Sequence, residues 1–127
     1  MNKMFEKIKF NEKGLVPAII QDDGSLEVLT LCYMNKEALK MTFESGKVHV
    51  FRRSKGQLMM KGKTSGCTQD VKSVFIDCEG NSLLFRVGQR KAGCHEGFFT
   101  CYFRKIDGDG NIEIVGKRVF DPAKVYK

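Results

Sequence analysis

The chain has 127 residues, 42% of them apolar and 29% charged, with only two prolines, which excludes a disordered chain and leaves one domain, residues 1–127. Twenty-two basic residues against 15 acidic ones give a net charge of +7, favouring an anionic partner: nucleic acid, an acidic membrane or a phosphorylated small molecule. No apolar run approaches the roughly 20 residues of a membrane span, and the first residues lack the apolar segment of a secretory signal, so a cytoplasmic protein with reduced thiols is expected.

Residues 1–13 are charged and mixed, a short helix or arm. Gly14 to Gln21 reads as a strand with Pro17 near its start or on a sheet edge. Asp22-Asp23-Gly24-Ser25 has the chemistry of a turn, with Asp-Gly tolerating positive φ, and Val28 to Met34 completes a hairpin. Asn35 is placed to cap a helix from Lys36 to Ser45, which Gly46 stops. Leu39 and Phe43, with Ala38 and Met41 beside them, predict its buried face. Val48 to Phe51 alternates like a strand, in which His49 is read as a surface or hydrogen-bonded histidine, and a basic, glycine-rich segment from Arg52 to Gly66 follows. Strands are expected at Val71 to Asp77 and Ser82 to Val87, and a last hairpin at Phe98 to Ile106 and Ile112 to Val119. Seven or so strands and one main helix predict an α+β fold built mostly on antiparallel sheet.

Two motifs imitate known sites. Gly62-Lys63-Thr64 ends like a Walker A loop, but the first glycine of that motif falls on Gln57, so an ATPase is excluded. Backbone amides from Gly62 to Gly66, two hydroxyls and several cations still suit a phosphate cradle, with a solvated basic loop as the alternative. Asp107-Gly108-Asp109-Gly110-Asn111 begins like a calcium loop, but its sixth position is Ile112 and its twelfth Arg118, so a hairpin turn is expected.

The densest chemistry lies between Asp77 and Arg104. Three of the five cysteines, Cys78, Cys94 and Cys101, fall there with His95. Thiolates are soft zinc donors, and three of them leave a fourth position open, as a hydrolytic centre requires. Packing is the other explanation of a cysteine, and Cys101 shares an expected strand face with Phe99 and Phe103. Cys32 and Cys67 are read as structural. His95, adjacent to Cys94, suits a base beside a ligand, or else a surface histidine. In a strand Asp77, Glu79 and Asn81 would share a face opposite Cys78 and offer oxygen donors to magnesium, unless the Gly80 turn breaks the alternation.

Together these residues resemble the phosphoribosyl-AMP cyclohydrolase family of histidine biosynthesis. The resemblance is carried from residue 14 to 104 by Gly14-Leu15-Val16-Pro17-Ala18-Ile19, Tyr33-Met34-Asn35, Arg53-Ser54, Lys61-Gly62 with Thr64-Ser65-Gly66, Asp77-Cys78, Cys94-His95 and Cys101-Tyr102-Phe103-Arg104. It implies an intertwined homodimer with active sites at the subunit interface. It also implies zinc on Cys78, Cys94 and Cys101, and His95 as general acid/base. The implied reaction is hydrolytic opening of the adenine ring of phosphoribosyl-AMP between N1 and C6. Arg53, Ser54, Lys61, Thr64 and Ser65 are the candidates for binding the substrate's phosphates. The implied partners are a phosphorylated purine nucleotide and a second copy of the chain, with no nucleic acid and no membrane.

Departures from the family pattern fall at Arg52, Met59, Cys67 and Glu96, and the family's alternating aspartates are reduced to Asp77, Glu79 and Asn81, which weakens the expectation of magnesium. A paralogue acting on another purine nucleotide is one alternative. A non-enzymatic, zinc-stabilised nucleic-acid-binding module is another.

Overall fold

The computed structural model describes residues 2–62, 66–89, 97–116 and 118–119. A short helix α1 (Asn2–Lys7) leads into strand β1 (Val16–Asp22), whose even-numbered apolar residues point inward. Strand β2 (Val28–Met34) pairs with it antiparallel, from Val16 opposite Met34 to Gln21 opposite Val28. The turn between them departs from expectation. Asp22 accepts from the Ser25 amide at 2.8 Å and its hydroxyl at 2.9 Å, but the positive φ falls on Leu26 (64°), where the tightened chain lets Asp22 N reach the Glu27 carbonyl.

Helix α2 (Lys36–Ser45) is capped as predicted. The Asn35 side chain accepts from the Ala38 amide, and Gly46 closes the C-terminus at φ 75° with its N–H on the Thr42 carbonyl. Its buried face differs from expectation: Ala38, Leu39 and Thr42 are buried, whereas Met41 and Phe43 are 41% and 42% exposed. A polar residue can take that place because Thr42 Oγ1 donates to the Ala38 carbonyl at 2.8 Å and accepts from the His49 amide at 2.9 Å. His49 is a packed residue, its Nδ1 2.9 Å from the Lys47 carbonyl.

The basic segment holds a strand that the sequence reading lacked. β3 (His49–Arg52) and β4 (Gln57–Met60) form a hairpin, so Arg53 to Gly56 is its turn, with Gly56 at φ 59°. Strands β5 (Gln69–Ile76) and β6 (Leu83–Gln89) pair antiparallel, and β6 then inserts parallel to β1. The sheet order is β2-β1-β6-β5, so the fold is α+β and mostly antiparallel, with one parallel contact. Pro17 is near the start of β1, as expected, one residue before the β6 register begins at Ala18, so its missing N–H falls outside that ladder.

Val16, Ala18, Ile20, Leu29, Met34, Leu83, Phe85 and Val87 meet α2 and Val48 and Val50 in the main core. The opposite sheet face carries an apolar row across all four strands, Leu31–Ile19–Leu84–Phe75, of which Leu31, Ile19 and Phe75 are 45%, 37% and 46% exposed.

The last hairpin is shorter than expected. Among the described residues the ladder is confined to β7 (Arg104–Ile106) and β8 (Ile112–Ile114), every residue of both exposed, with an isolated bridge between Phe98 and Arg118. Residues 98–103 are not a strand, so the predicted face of Phe99, Cys101 and Phe103 does not form. Instead Phe98 stacks on Phe103 at 3.9 Å with Cys101 against them, and Phe99 packs on the main core.

The turn between β5 and β6 is pinned to α1's exit, where the Lys9 amide donates to the Gly80 carbonyl at 2.8 Å. Gly80 has φ +74°, and a Cβ there would strike the Lys7 carbonyl. Gly80→Ala is therefore expected to lower stability by about 1–3 kcal/mol, read from urea midpoints, whereas Gly108→Ala, with open space around it, should change little.

Candidate active site

Of the three candidate zinc donors, Cys78 is exposed in the β5–β6 turn and Cys101 is half-buried; Cys94 lies outside the described residues. The Cys101 amide donates to the Leu29 carbonyl of β2 at 2.7 Å, and Thr100 Oγ1 donates to the Val28 carbonyl at 2.7 Å. Cys78 and Cys101 thus occupy opposite corners of the sheet. Across the strands, β2 and the β5–β6 pair are two to three spacings apart, ~10–14 Å.

The two are also offset along the strands. Cys32, Ala18, Leu83 and Ile76 lie in one row; Leu29 is three positions to one side of it and Cys78 two to the other, an offset of ~16 Å. A Zn–S bond spans only about 2.3 Å. The donor set suits zinc by its chemistry, but one chain does not bring these two sulfurs to one ion. Among the described residues no group of three His, Cys, Asp or Glu could hold a metal.

Cys32, read from sequence as structural, lies on the core face within electrostatic range of Lys61 and Cys101. Burial pushes its thiol up to about 12, against the lowering influence of Lys61, so it is an uncharged thiol at neutral pH. Its Sγ sits 3.6 Å from the Ala18 carbonyl.

The phosphate candidates divide between the two ends of the β3–β4 hairpin. Arg53 and Ser54 are exposed at its turn, with the Arg53 guanidinium stacked over the Tyr33 ring at 4.0 Å. Lys61 is half-buried at the other end, its amide on the Val48 carbonyl at 2.9 Å. Four residues of strand, ~13 Å, separate the two ends at which Arg53 and Lys61 stand. Thr64 and Ser65 lie outside the described residues, as does His95. On either side of Thr64 and Ser65, Gly66 N donates to the Gly62 carbonyl at 2.8 Å, and Gly62 (φ +82°) presses against the Cys67 carbonyl, where no Cβ fits. The open depression lined by Phe10, Lys13, Asn35 and Lys36 contains none of the candidates.

The acidic candidates are not arranged as a strand face, because β5 ends at Ile76 and residues 77–81 turn. Asp77 Oδ1 accepts from the Asn81 amide at 2.7 Å and the Ser82 amide at 3.3 Å, and Oδ2 from the Ser82 hydroxyl at 3.2 Å. Glu79 and Asn81 are exposed. The same Asp-x-x-Gly-Asn turn recurs at Asp107, whose Oδ1 accepts from the Asp109 and Asn111 amides at 2.9 Å, with Gly110 at φ 87°. As predicted, that segment is a hairpin turn. Turn chemistry therefore accounts for the hydrogen bonds of Asp77 without any metal.

A family model described as phosphoribosyl-AMP cyclohydrolase matches residues 30–103, which include Arg53, Lys61, all three candidate cysteines and His95. The chain belongs to the phosphoribosyl-AMP cyclohydrolase family. It is 45% identical to the phosphoribosyl-AMP cyclohydrolase of Pelotomaculum thermopropionicum over 121 residues, covering 95% of this chain and 94% of the relative. The enzyme of that name from Methanosarcina barkeri is 46% identical over 123 residues, covering 97% and 92%. The histidine biosynthesis bifunctional protein of Thermoanaerobacter pseudethanolicus is 42% identical over 127 residues, all of this chain and 58% of that protein. No helix among the described residues is long and apolar enough to cross a membrane.

Within this family frame, Asp77 yields a pH prediction. Partial desolvation raises its carboxyl, but the Asn81 and Ser82 amides, the Ser82 hydroxyl and the Gly80 amide lower it further, so it sits below the ordinary carboxylate range. A depressed folded pKa contributes stability that is present above the unfolded value of about 3.9 and is lost as pH falls through the folded one. Acid unfolding followed by circular dichroism should therefore be shallower below about pH 4 in Asp77→Asn than in the parent. Superimposable curves would mean that the turn does not depend on the charge.

Proposed function

We propose that the chain is a zinc-dependent phosphoribosyl-AMP cyclohydrolase of histidine biosynthesis, working as a homodimer in which each active site draws on both copies. Family membership supports the reaction. The observation that carries the two-copy site is the corner-to-corner separation of Cys78 and Cys101 on one sheet. A second copy resolves it, Cys78 of one meeting Cys101 of the other. The exposed row Leu31–Ile19–Leu84–Phe75 supports burial of this sheet face against that copy, since water contact leaves an apolar stripe across four strands uncompensated.

Cys78, Cys94 and Cys101 would hold the zinc, which when bound supplies Lewis acidity that makes water nucleophilic near neutral pH. His95 takes a proton from the water attacking C6 and returns it to N1 as the N1–C6 bond opens. Arg53 and Ser54 bind one phosphate of the substrate, and Lys61 with Thr64 and Ser65 binds the other, in keeping with their separation along β3–β4. The Arg53 fork is oriented by the Tyr33 ring beneath it. Magnesium at Asp77, Glu79 and Asn81 has no part in this reading, because Asp77 already caps its own turn.

The direct test is the ultraviolet change on ring opening, with purified zinc-loaded protein and authentic phosphoribosyl-AMP. Absence of turnover would transfer the reading to a different purine nucleotide. His95→Ala should retain zinc and fold while turnover falls by about 10²–10⁴-fold. Cys78→Ser and Cys101→Ser should each be inactive alone, yet an unfolded and refolded equimolar mixture should regain up to about a quarter of parental activity, because half of the dimers then hold one intact site of two. No recovery from a mixture that still dimerises would place both sulfurs of a site in one copy.

A further inference from the structure

Gln69 is a polar side chain in an apolar setting. It is fully buried at the start of β5, directly across from Gln89 at the end of β6. Its Nε2 donates to Gln89 Oε1 at 2.7 Å, and Gln89 Nε2 donates to the Phe99 carbonyl at 2.6 Å. The direction of this relay is forced. A carbonyl only accepts, so Gln89 must turn its NH2 towards Phe99 and its oxygen towards Gln69, which must then present its own NH2. Among the described residues, Gln69 Oε1 is consequently left buried with no hydrogen-bond partner. An orphaned buried acceptor destabilises the fold, and a methionine of similar length would fill the space without one. Packing alone does not explain this amide.

The end of the relay explains it. Phe99 begins a short strap, residues 99–101, that bonds to both β6 and β2 at one end of the sheet. Gln89 holds the strap at Phe99, and on the far side Thr100 Oγ1 donates to the Val28 carbonyl and the Cys101 amide to the Leu29 carbonyl. Cys101 thus sits where a strap anchored at both ends leaves the chain little freedom.

We propose that Gln69 and Gln89 are positioning residues that fix the Cys101 thiol as a zinc donor. Gln89 makes the contact, and Gln69 keeps the Gln89 amide in the orientation that makes it. This rests on the zinc reading above, and the strap itself can be tested without metal.

The experiment compares Gln69→Met and Gln89→Leu with the parent in the full-length chain. Zinc retention against a competing chelator, thermal midpoint, kcat and KM, and amide hydrogen exchange of the metal-free protein are measured. Gln69→Met should keep or raise the thermal midpoint, because the orphaned acceptor is gone, while zinc is lost about 10–100-fold more readily and kcat falls with KM little changed. Exchange at the Cys101 amide should quicken in both variants while that of Gly46, bonded to Thr42, does not. A Gln69→Met protein with a lower midpoint and parental zinc retention would overturn the proposal and make the pair purely structural. If the parent itself binds no zinc, the reading above fails; exchange at Cys101 then decides the strap alone, and an unchanged rate rejects it.

Discussion

The parallel contact between β1 and β6 governs the placement of the chemistry. Because β6 enters beside β1 with the same direction, the β5–β6 turn lies at the end of the sheet where β1 begins, while the start of β2 lies at the other end. Cys78 goes with the turn and Cys101 with the start of β2. Had β6 joined antiparallel, the turn would lie at the same end as Leu29. The corner-to-corner separation of the two sulfurs thus follows from one strand direction and not from any property of the cysteines.

The polar groups divide into those that serve the backbone and those that backbone needs do not explain. Asp77, Asp107, Asn35 and Thr42 each accept from backbone amides, and the recurrence of the Asp77 turn at Asp107 shows how fully local geometry accounts for it. Gln69 is the contrary case, because its buried acceptor stays unpaired so that a hydrogen bond can reach Phe99 through Gln89. The buried Cys32 thiol, kept uncharged beside Lys61, is a neutral neighbour to Cys101. In the proposed enzyme these two features bracket Cys101, one fixing its backbone and the other keeping a second negative charge away from it.

Chain-local signals were largely readable. The first hairpin, the Asn35 cap, the Gly46 stop and the Asp107 turn each depend on a few neighbouring residues whose φ preferences and side-chain acceptors act within one turn of chain. The misreadings were those that depend on what packs opposite. Thr42 replaces Phe43 on the buried face of α2 because His49 supplies it with a donor, and β4 was hidden among basic residues because Leu58, Met59 and Met60 pair with β3 and Leu58 and Met59 pack on the main core. The alternation expected for Asp77, Glu79 and Asn81 failed because β5 stops at Ile76 and Gly80 turns the chain against Lys7.

By itself the sequence determined the family, through motifs such as Tyr33-Met34-Asn35 and Cys94-His95 that are set by residue identity and order, and it named the thiols whose softness suits zinc. Tertiary structure alone decided that Cys78 and Cys101 stand at opposite corners, that Arg53 and Lys61 stand at opposite ends of the β3–β4 hairpin, and that Gln69 reaches Phe99 through Gln89. The physical reason is that residue type and spacing carry donor chemistry, whereas distance depends on strand order and direction, which arise from contacts between residues far apart in the chain.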